Sequence, residues 1–543
     1  MKKALFVLFL LFLTFSLFAA TYEITDYSFL IRGKTKDSSI SEKVGSTGST
    51  FSTIVDLESF LDEKRQELDN MRLFSHVEYR FVVKERILDF YDVSVTFYIW
   101  DASSVFVLPY PKYDSNYGFK LGVKAYNKNL GGTFANLYGY AGISQQNNTF
   151  KDGKYNWELS VDSIDLGKAD ASVSHTGAVD LIDWKNSYLK FSAGVGHIQF
   201  MDVEAAFSTY FTFAPDKAEK ESKWGFEKWG ATANVVFKND ILDNFSISNT
   251  TELNVRTFEL DTYTRFSYEI GLDLYSYTVL NTKQTNEPED VNKGLDYVEL
   301  GTGISRTIPL SDKIGINAMF IFYVQYDYNE NILVPYFDLS FASANSEYDW
   351  IGNFRKGVSY DFRLDILSYP INEIERNSFK FWTSISGFAP VNSWFNPSAR
   401  LSVTMSDRDH YFAFAKDETI ADYIRGIRQD NSIVNIDLIP RRKFAVACNM
   451  DFMMNFIEIK DFCRSYVIPF VDFLVVGGAG NDTSYKKLTT VGLEGVVILD
   501  NHPSYPIRGS LGFNLKDLLR LAKGQIKLSE VEYELFIGMG FFY

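Results

Sequence analysis

Beyond residue 20 the sequence has no uninterrupted apolar run of about 20 residues, the length that a transmembrane helix needs. The chain after that point is therefore expected either to be soluble or to cross a membrane as a barrel of strands. Proline is also scarce, with 13 in 543 residues. Because proline cannot donate a ladder hydrogen bond, this scarcity favours long strands.

Cysteine and histidine are scarce as well. Cys448 and Cys463 are the two cysteines, and the five histidines are scattered. These residues cannot build a Cys-rich zinc site, so we expect no metal and no cofactor. A disulfide between Cys448 and Cys463 and two free thiols both fit the sequence. The net charge of −15 argues against nucleic-acid partners, which call for basic patches.

Signatures of catalysis are missing. The sequence has no Gly-rich phosphate loop, His-Glu-x-x-His helix or nucleophile elbow. Acidic residues are numerous, but on alternating strands we expect them to be solvated side chains that face a wet interior. We therefore predict no catalytic residues and no enzymatic activity.

Residues 1–20 have the pattern of a secretory signal peptide. Lys2 and Lys3 give a positive start, residues 4–18 are largely apolar, and the small pair Ala19-Ala20 suits cleavage. A retained membrane anchor is the alternative interpretation of the same stretch.

Residues 21–101 have a different pattern of apolar and polar residues from the rest of the chain. Tyr22–Arg32 resembles a strand, Leu57–Arg72 carries one apolar stripe among charges, and Phe74–Val83 and Val93–Trp100 alternate as two more strands. The order strand, helical region, helix, strand, strand predicts a small α+β domain, with one sheet face against helices.

From residue 102 to residue 543 one alternating run follows another, as in Phe119–Ala125 and Trp157–Val161. With about 10 residues a strand and a share of loops, this length predicts an all-β membrane barrel of about 16 antiparallel strands. The runs themselves outnumber that estimate, and which of them merge stays open. The stretches 281–293 and 407–431 are expected to be outer loops.

The final segment, Val531–Tyr543, alternates apolar residues with a set that begins charged and turns small. One face suits lipid and the other suits a wet interior. A soluble domain rarely ends on an aromatic strand, because termini fray into water. Such an end suits a strand that closes a membrane barrel.

Together these features resemble the BamA/TamA outer-membrane insertase superfamily, also called the bacterial surface antigen family. Residues 68–79, Leu-Asp-Asn-Met-Arg-Leu-Phe-Ser-His-Val-Glu-Tyr, are similar to the helix-to-strand junction of a polypeptide-transport-associated (POTRA) domain. Pro109–Gly118 and Asn129–Thr133 resemble the family's entry into its barrel. The resemblance implies one periplasmic POTRA-like domain over 21–101, followed by an outer-membrane barrel over 102–543.

One short motif gives the most specific match to the family. Arg425-Gly426-Ile427 is similar to the Arg-Gly-aromatic tip of the family's sixth outer loop, which folds back into the lumen, although Ile427 replaces the aromatic. A second Arg-Gly, Arg508-Gly509, lies inside a predicted strand. Five predicted strands follow Gly426, as in the family, at 433–456, 465–477, 488–499, 505–515 and 531–543.

The resemblance also implies a partner for the loop arginine, in a Phe-x-Asp-x-Gly pattern. Phe470 and Asp472 supply the first two residues, and Leu474 replaces the glycine. A buried guanidinium needs such an acceptor, because an unpaired buried charge is costly. The alternative is that Arg425 is solvated and that Asp472 is an ordinary lumen carboxylate.

The implied function is assembly or translocation of unfolded outer-membrane or secreted proteins, bound as added strands. The barrel seam would open sideways, since Pro109 and Pro111 cannot donate to a ladder. On the opposing strand, Gly538 and Gly540 reduce the side-chain packing before Tyr543, because glycine has no side chain. Further expected partners are periplasmic accessory proteins and the lipid of the bacterial outer membrane. The alternative function is a passive pore or a structural surface barrel.

Overall fold

A computed structural model describes residues 20–541 apart from 88–89, 115–117, 147–148, 166–168, 201–202, 217–222, 238–244, 257–258, 272–273, 286–293, 310–314, 329, 372–376, 407–423, 428–441, 461 and 480–481. The chain separates into two compact units. The first comprises the chain up to Phe106 with Tyr126–Asn136 and Leu499–Ser504, and the second comprises the remainder. Within the described residues, no helix combines the length and the apolarity needed to cross a membrane.

The first unit contains a four-stranded sheet with two helices. The strand order is β2-β1-β4-β3, in which β1 and β4 are parallel and the other neighbours are antiparallel. The elements in chain order are β1 (Thr21–Arg32), α1 (Asp37–Val44), β2 (Thr50–Phe51), α2 (Ile54–Asn70), β3 (Phe74–Ile87) and β4 (Phe90–Asp101).

Helix α2 lies where the apolar stripe predicts a helix. It begins after Thr53, whose hydroxyl oxygen accepts the backbone N–H of Asp56 at 3.1 Å and caps the first turn. Leu57, Leu61 and Leu68 on its stripe are buried in one cluster with the inward side chains of β4. This cluster is the core of the first unit.

The sheet corrects the POTRA-like arrangement expected over 21–101, which had three strands. The difference is β2, since Thr50 and Phe51 pair with Glu23 and Tyr22 along the outer edge of β1. The segment around β2 shows too little periodicity in the sequence to reveal so short a strand. The structure thus gives an α+β unit with a four-stranded sheet.

The strands β5–β26 form a closed barrel of 22 strands, so the expectation of about 16 is wrong. Their bounds are Val105–Asp114, Gly118–Leu130, Ala135–Gln146, Thr149–Asp165, Asp170–Asp180, Tyr188–Phe200, Val203–Pro215, Trp224–Phe237, Phe245–Asn254, Glu259–Gly271, Leu274–Thr285, Gly294–Pro309, Gly315–Asp327, Ile332–Ile351, Phe354–Ser368, Ser378–Phe388, Phe395–Ser406, Arg442–Ile459, Cys463–Ala479, Asp482–Leu499, His502–Asn514 and Tyr533–Met539. A third helix, α3 (Leu515–Ala522), lies between β25 and β26.

The strand number was underestimated because the hairpins are tighter than the estimate allowed. Two residues separate β18 from β19, and two separate β24 from β25. Less chain is therefore spent on connections, and more strands fit into the same length. The five strands expected after Gly426 are confirmed as β22–β26.

The antiparallel order sorts the connections between the two ends of the barrel. The chain enters β5 at one end, so every odd-numbered barrel strand finishes at the opposite end, called here the far end. The connections after β15, β21 and β25 leave from the far end. The expected outer loop 281–293 begins later than predicted, because β15 extends to Thr285, and 286–293 lies outside the described residues. In the loop expected at 407–431, residues 424–427 are described.

Strand β26 shows the predicted alternation. Tyr533 and Ile537 are 48% and 44% exposed on the outer face. Glu534 and Phe536 point inward, where they contact the lumen residues Gly426 and Arg508. An apolar outer face around a closed barrel is the architecture of outer-membrane proteins.

The two cysteines are free thiols on neighbouring strands. Cys448 lies within β22 and Cys463 begins β23. In the β22–β23 ladder Cys448 lies opposite Phe473, and Cys463 lies opposite Ile459. Because each thiol faces another residue, the disulfide alternative is excluded in this structure.

Candidate functional site in the lumen and at the barrel seam

The Arg425 side chain lies inside the barrel on the wall formed by β22–β24. Its Nε donates to Asp472 Oδ2 at 3.0 Å, and its Nη2 donates to Asp472 Oδ1 at 2.8 Å. The backbone N–H of Arg425 also donates to Asp472 Oδ2 at 3.0 Å. Both side chains are buried, with Asp472 0% exposed. The structure therefore brings together the two residues that the family resemblance paired.

Two further carboxylates complete the surroundings of this guanidinium. Nη2 of Arg425 donates to Asp451 Oδ1 at 2.6 Å, and Nη1 donates to Glu494 Oε2 at 3.4 Å. Glu494 also lies 3.6 Å from Nη1 of Arg508 on β25. The lumen cluster is defined as Arg425, Asp451, Asp472, Glu494 and Arg508, with three formal negative and two formal positive charges. Its members neutralise one another to within one charge, as buried ions require.

Sequence reasoning missed Asp451 and Glu494. They are the inward acids on β22 and β24, the strands on either side of the one that carries Asp472. A signal was available, because alternation on the three neighbouring strands places carboxylates toward the lumen. The sequence could not show that these carboxylates lie at the same level along the barrel axis as Asp472, because that level depends on the register between strands.

Apolar contacts fix the loop tip on both sides of Arg425. The guanidinium carbon lies 3.7 Å from the ring centroid of Phe470, a cation–π contact. Ile424 and Ile427 are each 2% exposed and pack in one cluster with Leu474 and its neighbours on β22–β24. Ile427 thus fills an apolar pocket, and Leu474 contributes to that pocket.

Gly426 tolerates no other residue. Its φ is +82°, and a Cβ there would lie 2.7 Å from the backbone nitrogen of Phe513. Its N–H donates to Glu534 Oε2 at 2.6 Å. Glu534 belongs to β26, so this bond connects the loop tip directly to the last strand of the barrel.

The described part of the seam between β5 and β26 is short. Within the described residues, two pairs join these strands, Tyr113 with Ile537 and Asp114 with Phe536. Continuing the register would set Pro111 opposite Met539, where proline offers no N–H. Among the predicted seam residues, the structure places Pro109 and Pro111 on β5 and Gly538 on β26. Tyr543 lies outside the described residues.

The chain leaves the barrel wall at Gly540. This residue has a φ of +94°, and its N–H donates to the Pro506 carbonyl at 2.9 Å. Phe541 then turns inward and packs against the lumen residues of β23 and β24. The guanidinium carbon of Arg355 lies 4.8 Å from its ring centroid. Phe541 belongs to the apolar set of the alternating segment 531–543, and the outward direction that the alternation indicates does not hold for it, because the backbone bends after Met539.

Inside the first unit, the N-terminal elements contact the start of one barrel strand and one barrel turn. Arg72 Nε donates to the Pro503 carbonyl at 3.0 Å, near the start of β25. Gly132, in the turn between β6 and β7, accepts the Lys36 N–H at 3.0 Å. In the strand order, β6 neighbours β5 and β25 neighbours β26.

Comparison with known proteins gives similarity in structure alone. No protein-family model and no curated protein matches the sequence. BamA from Haemophilus ducreyi lacking POTRA domains 1-3 is 12% identical, with 95% of this chain and 84% of that chain covered and a TM-score of 0.33. CdiB from Acinetobacter baumannii is 10% identical, with 96% and 74% covered and a TM-score of 0.38. The FrpB iron transporter from Neisseria meningitidis is 7% identical, with 86% and 87% covered and a TM-score of 0.43.

BamA and CdiB are thus among the solved structures to which the chain is similar, at identities too low to transfer a family or a function. The site itself combines the lumen cluster, which holds a far-end loop inside the barrel, with a seam for which two strand pairs are described. Since the Gly426–Glu534 bond connects them, a change at one is expected to reach the other.

Proposed function

We propose that this protein inserts or translocates unfolded protein segments at the outer membrane, through the seam between β5 and β26. The observation that carries the proposal is the contrast between this seam and the other strand pairs. Within the described residues, two pairs join β5 to β26, whereas seven join β25 to β26 and fifteen join β18 to β19. Among the strand pairs whose register is described, fewer ladder hydrogen bonds make this the joint that separates at the lowest cost.

An opened seam offers a template for an incoming strand. The first half of β5 has no β26 partner in the described register, and its Val105 and Val107 are 51% and 61% exposed. A client segment in extended form could pair with this edge by backbone hydrogen bonds, without any covalent chemistry. The client's apolar side chains would then face lipid.

The first unit offers a second edge. Strand β3 spans fourteen residues and lies at the border of the sheet, with its other side paired to β4. A long edge strand can accept an added strand. We propose that this unit lies in the periplasm and receives clients there, before they reach the barrel.

The lumen cluster would set the resting state of the seam. Arg425 holds the loop tip on β22–β24, and Gly426 binds Glu534 on β26. In this role the cluster restrains the last strand while no client is bound. Its charges act structurally, and no group in it is assigned a chemical step.

A passive pore is the second candidate, and the barrel's size favours it. A closed barrel of 22 strands has the circumference of outer-membrane transporters, whose lumen is wide enough to need a plug. In that case the seam would stay closed, and solutes would cross through the lumen.

Site-specific photo-crosslinking separates the two functions. A photoreactive residue at Tyr113 or Ile537 reports on the seam, and one at Leu300, which is 55% exposed on β16, is the matched control on a continuous part of the wall. With an unfolded barrel client and proteoliposomes, we expect crosslinks at the two seam positions and none at Leu300. Ion conductance without any client crosslink would support the passive pore.

A further inference from the structure

Helix α3 stands at the far end of the barrel, beside the seam strand. It begins directly after Asn514, whose side chain accepts the Lys516 N–H at 3.1 Å and caps the helix. None of its eight residues is buried. Leu519 is 53% exposed, and Leu528 in the segment that follows is 72% exposed. The structure thus leaves apolar side chains uncovered at the rim.

The helix divides into an apolar face and a basic face. The spacing of i, i+3, i+4 and i+7 groups one set of apolar residues, Leu515, Leu518, Leu519 and Ala522. The spacing of i, i+4 and i+7 groups three cations, Lys516 and Arg520 on the helix and Lys523 directly after it. A leucine face beside a lysine and arginine face is the pattern of helices that lie in a membrane interface.

The cations of α3 share an open cleft with a lysine of the barrel wall. The cleft has a volume of about 600 Å³, and its basic lining consists of Lys487, Lys516, Arg520 and Lys523. Its acids are engaged locally: Asp517 Oδ2 accepts the Glu532 N–H at 3.3 Å, Asp517 Oδ1 lies 3.5 Å from Nη1 of Arg520, and Glu532 accepts from the Asn514 amide at 3.0 Å. The lining thus sets four cations against two acids. In a chain with a net charge of −15, this concentration of cations complements an anionic partner.

The apolar face continues the lipid-facing surface of the barrel. On β25 the outward residues alternate with buried ones, and Leu511 is 39% exposed on the outer face. Phe513 belongs to the same outward set, and the helix begins two residues later at Leu515. The outward apolar residues of β25 therefore lead along the chain to the uncovered leucines of α3.

We propose that α3 lies in the headgroup region of the membrane at the far end of the barrel. Leu519 and its neighbours contact acyl chains, and Lys516, Arg520 and Lys523 bind phosphate groups of anionic lipids. The helix would thereby bind the lipid next to β26, at the place where the seam meets the membrane. This inference stands independently of the proposed insertase function.

A depth measurement on the reconstituted full-length protein tests the proposal. A nitroxide label at Leu519→Cys, in a Cys448→Ala, Cys463→Ala background, reports collisions with oxygen and with a water-soluble nickel chelate. The control label is Tyr328→Cys, 49% exposed in the turn after β17, at the same end of the barrel. The vesicles contain phosphatidylcholine with or without phosphatidylglycerol.

In anionic vesicles we expect the Leu519 label to collide with the nickel chelate at least about twofold less often than the Tyr328 label, as for a side chain buried below the headgroups. The triple change Lys516→Gln, Arg520→Gln, Lys523→Gln should abolish the dependence on phosphatidylglycerol and leave folding intact, since these side chains are at the surface. Equal accessibility of the two labels in anionic vesicles would overturn the proposal. The proposal would also be overturned if millimolar inorganic phosphate made the Leu519 label collide with the nickel chelate as often as the Tyr328 label does. That result would favour a soluble phosphate ligand over lipid.

Discussion

Arg425 donates through Nε and Nη2 to the two carboxylate oxygens of Asp472, at 3.0 and 2.8 Å, inside the barrel. Nη2 of the same guanidinium also reaches Asp451 at 2.6 Å. The pair is thus part of a larger cluster, in which each charge depends on the others for compensation. This dependence makes the energetic consequences of single substitutions unequal.

The first prediction concerns these unequal losses. Arg425→Ala leaves three carboxylates close together and is expected to cost about 3–5 kcal/mol, whereas Asp472→Ala leaves the guanidinium with two acids and should cost less. The double variant should cost less than Arg425→Ala alone. A double-mutant cycle on thermal unfolding in lipid measures the coupling. Losses that simply add would show that the two side chains act independently.

The second prediction concerns the faces of β26. Ile537→Arg should lower folding yield in lipid, because a charge on the lipid face costs about 2–4 kcal/mol near the midplane. Glu534→Gln should leave the yield nearly unchanged, since it keeps an acceptor for the Gly426 N–H. The readout is the folded fraction on gels without heating. Similar yields for both variants would mean that the assigned faces are reversed.

The third prediction concerns the end of the chain. Phe541→Ala removes the ring that packs beside Arg355, and should lower stability by roughly 1–3 kcal/mol for a partly buried aromatic. Phe541→Leu, which retains apolar volume, should cost less. If the inward turn restrains β26, Phe541→Ala should also increase baseline conductance in planar bilayers. Unchanged stability and conductance would show that this contact restrains nothing.

The fourth prediction concerns the turn that precedes α1. One carboxylate oxygen of Asp101 accepts the N–H groups of Lys34 and Thr35 at 2.6 and 3.0 Å, and the other accepts the Thr35 hydroxyl at 2.8 Å. Asp101→Ala should therefore cost about 1–3 kcal/mol. Limited proteolysis should show faster cleavage near residues 34–36. Asp62→Ala, on the exposed surface of α2, is the control, and equal cleavage of both variants would count against this role for Asp101.

Much of the lumen site was predictable from residue order. Alternation assigned the inward face of β26. The family resemblance selected Arg425 over Arg508, through the five strands that follow Gly426, and its Phe-x-Asp-x-Gly pattern pointed to Asp472 as the acceptor that a buried guanidinium needs. The first inference uses periodicity, and the other two use short motifs shared with a family.

The remainder depended on geometry that local sequence does not encode. The strand number depends on how tightly each hairpin turns, as between β18 and β19. The grouping of Asp451 with Glu494 depends on the register between neighbouring strands. The inward path of Phe541 depends on the positive φ of Gly540. A glycine in the sequence indicates that the backbone can bend there, but it does not show toward which face the chain turns. Strand β2 is short enough that pairing with β1, rather than propensity, defines it.

The central claim is that the seam between β5 and β26 must separate for activity. A disulfide between Tyr113→Cys and Ile537→Cys, in a background without the natural cysteines, would lock the seam at a registered pair. The matched control is Leu511→Cys with Leu535→Cys, a registered pair between β25 and β26. The measurement is the rate at which liposomes containing each variant fold an unfolded barrel client. The account predicts that the seam disulfide abolishes the rate enhancement, that reduction restores it, and that the control disulfide has little effect. Full activity with the seam locked would contradict the account.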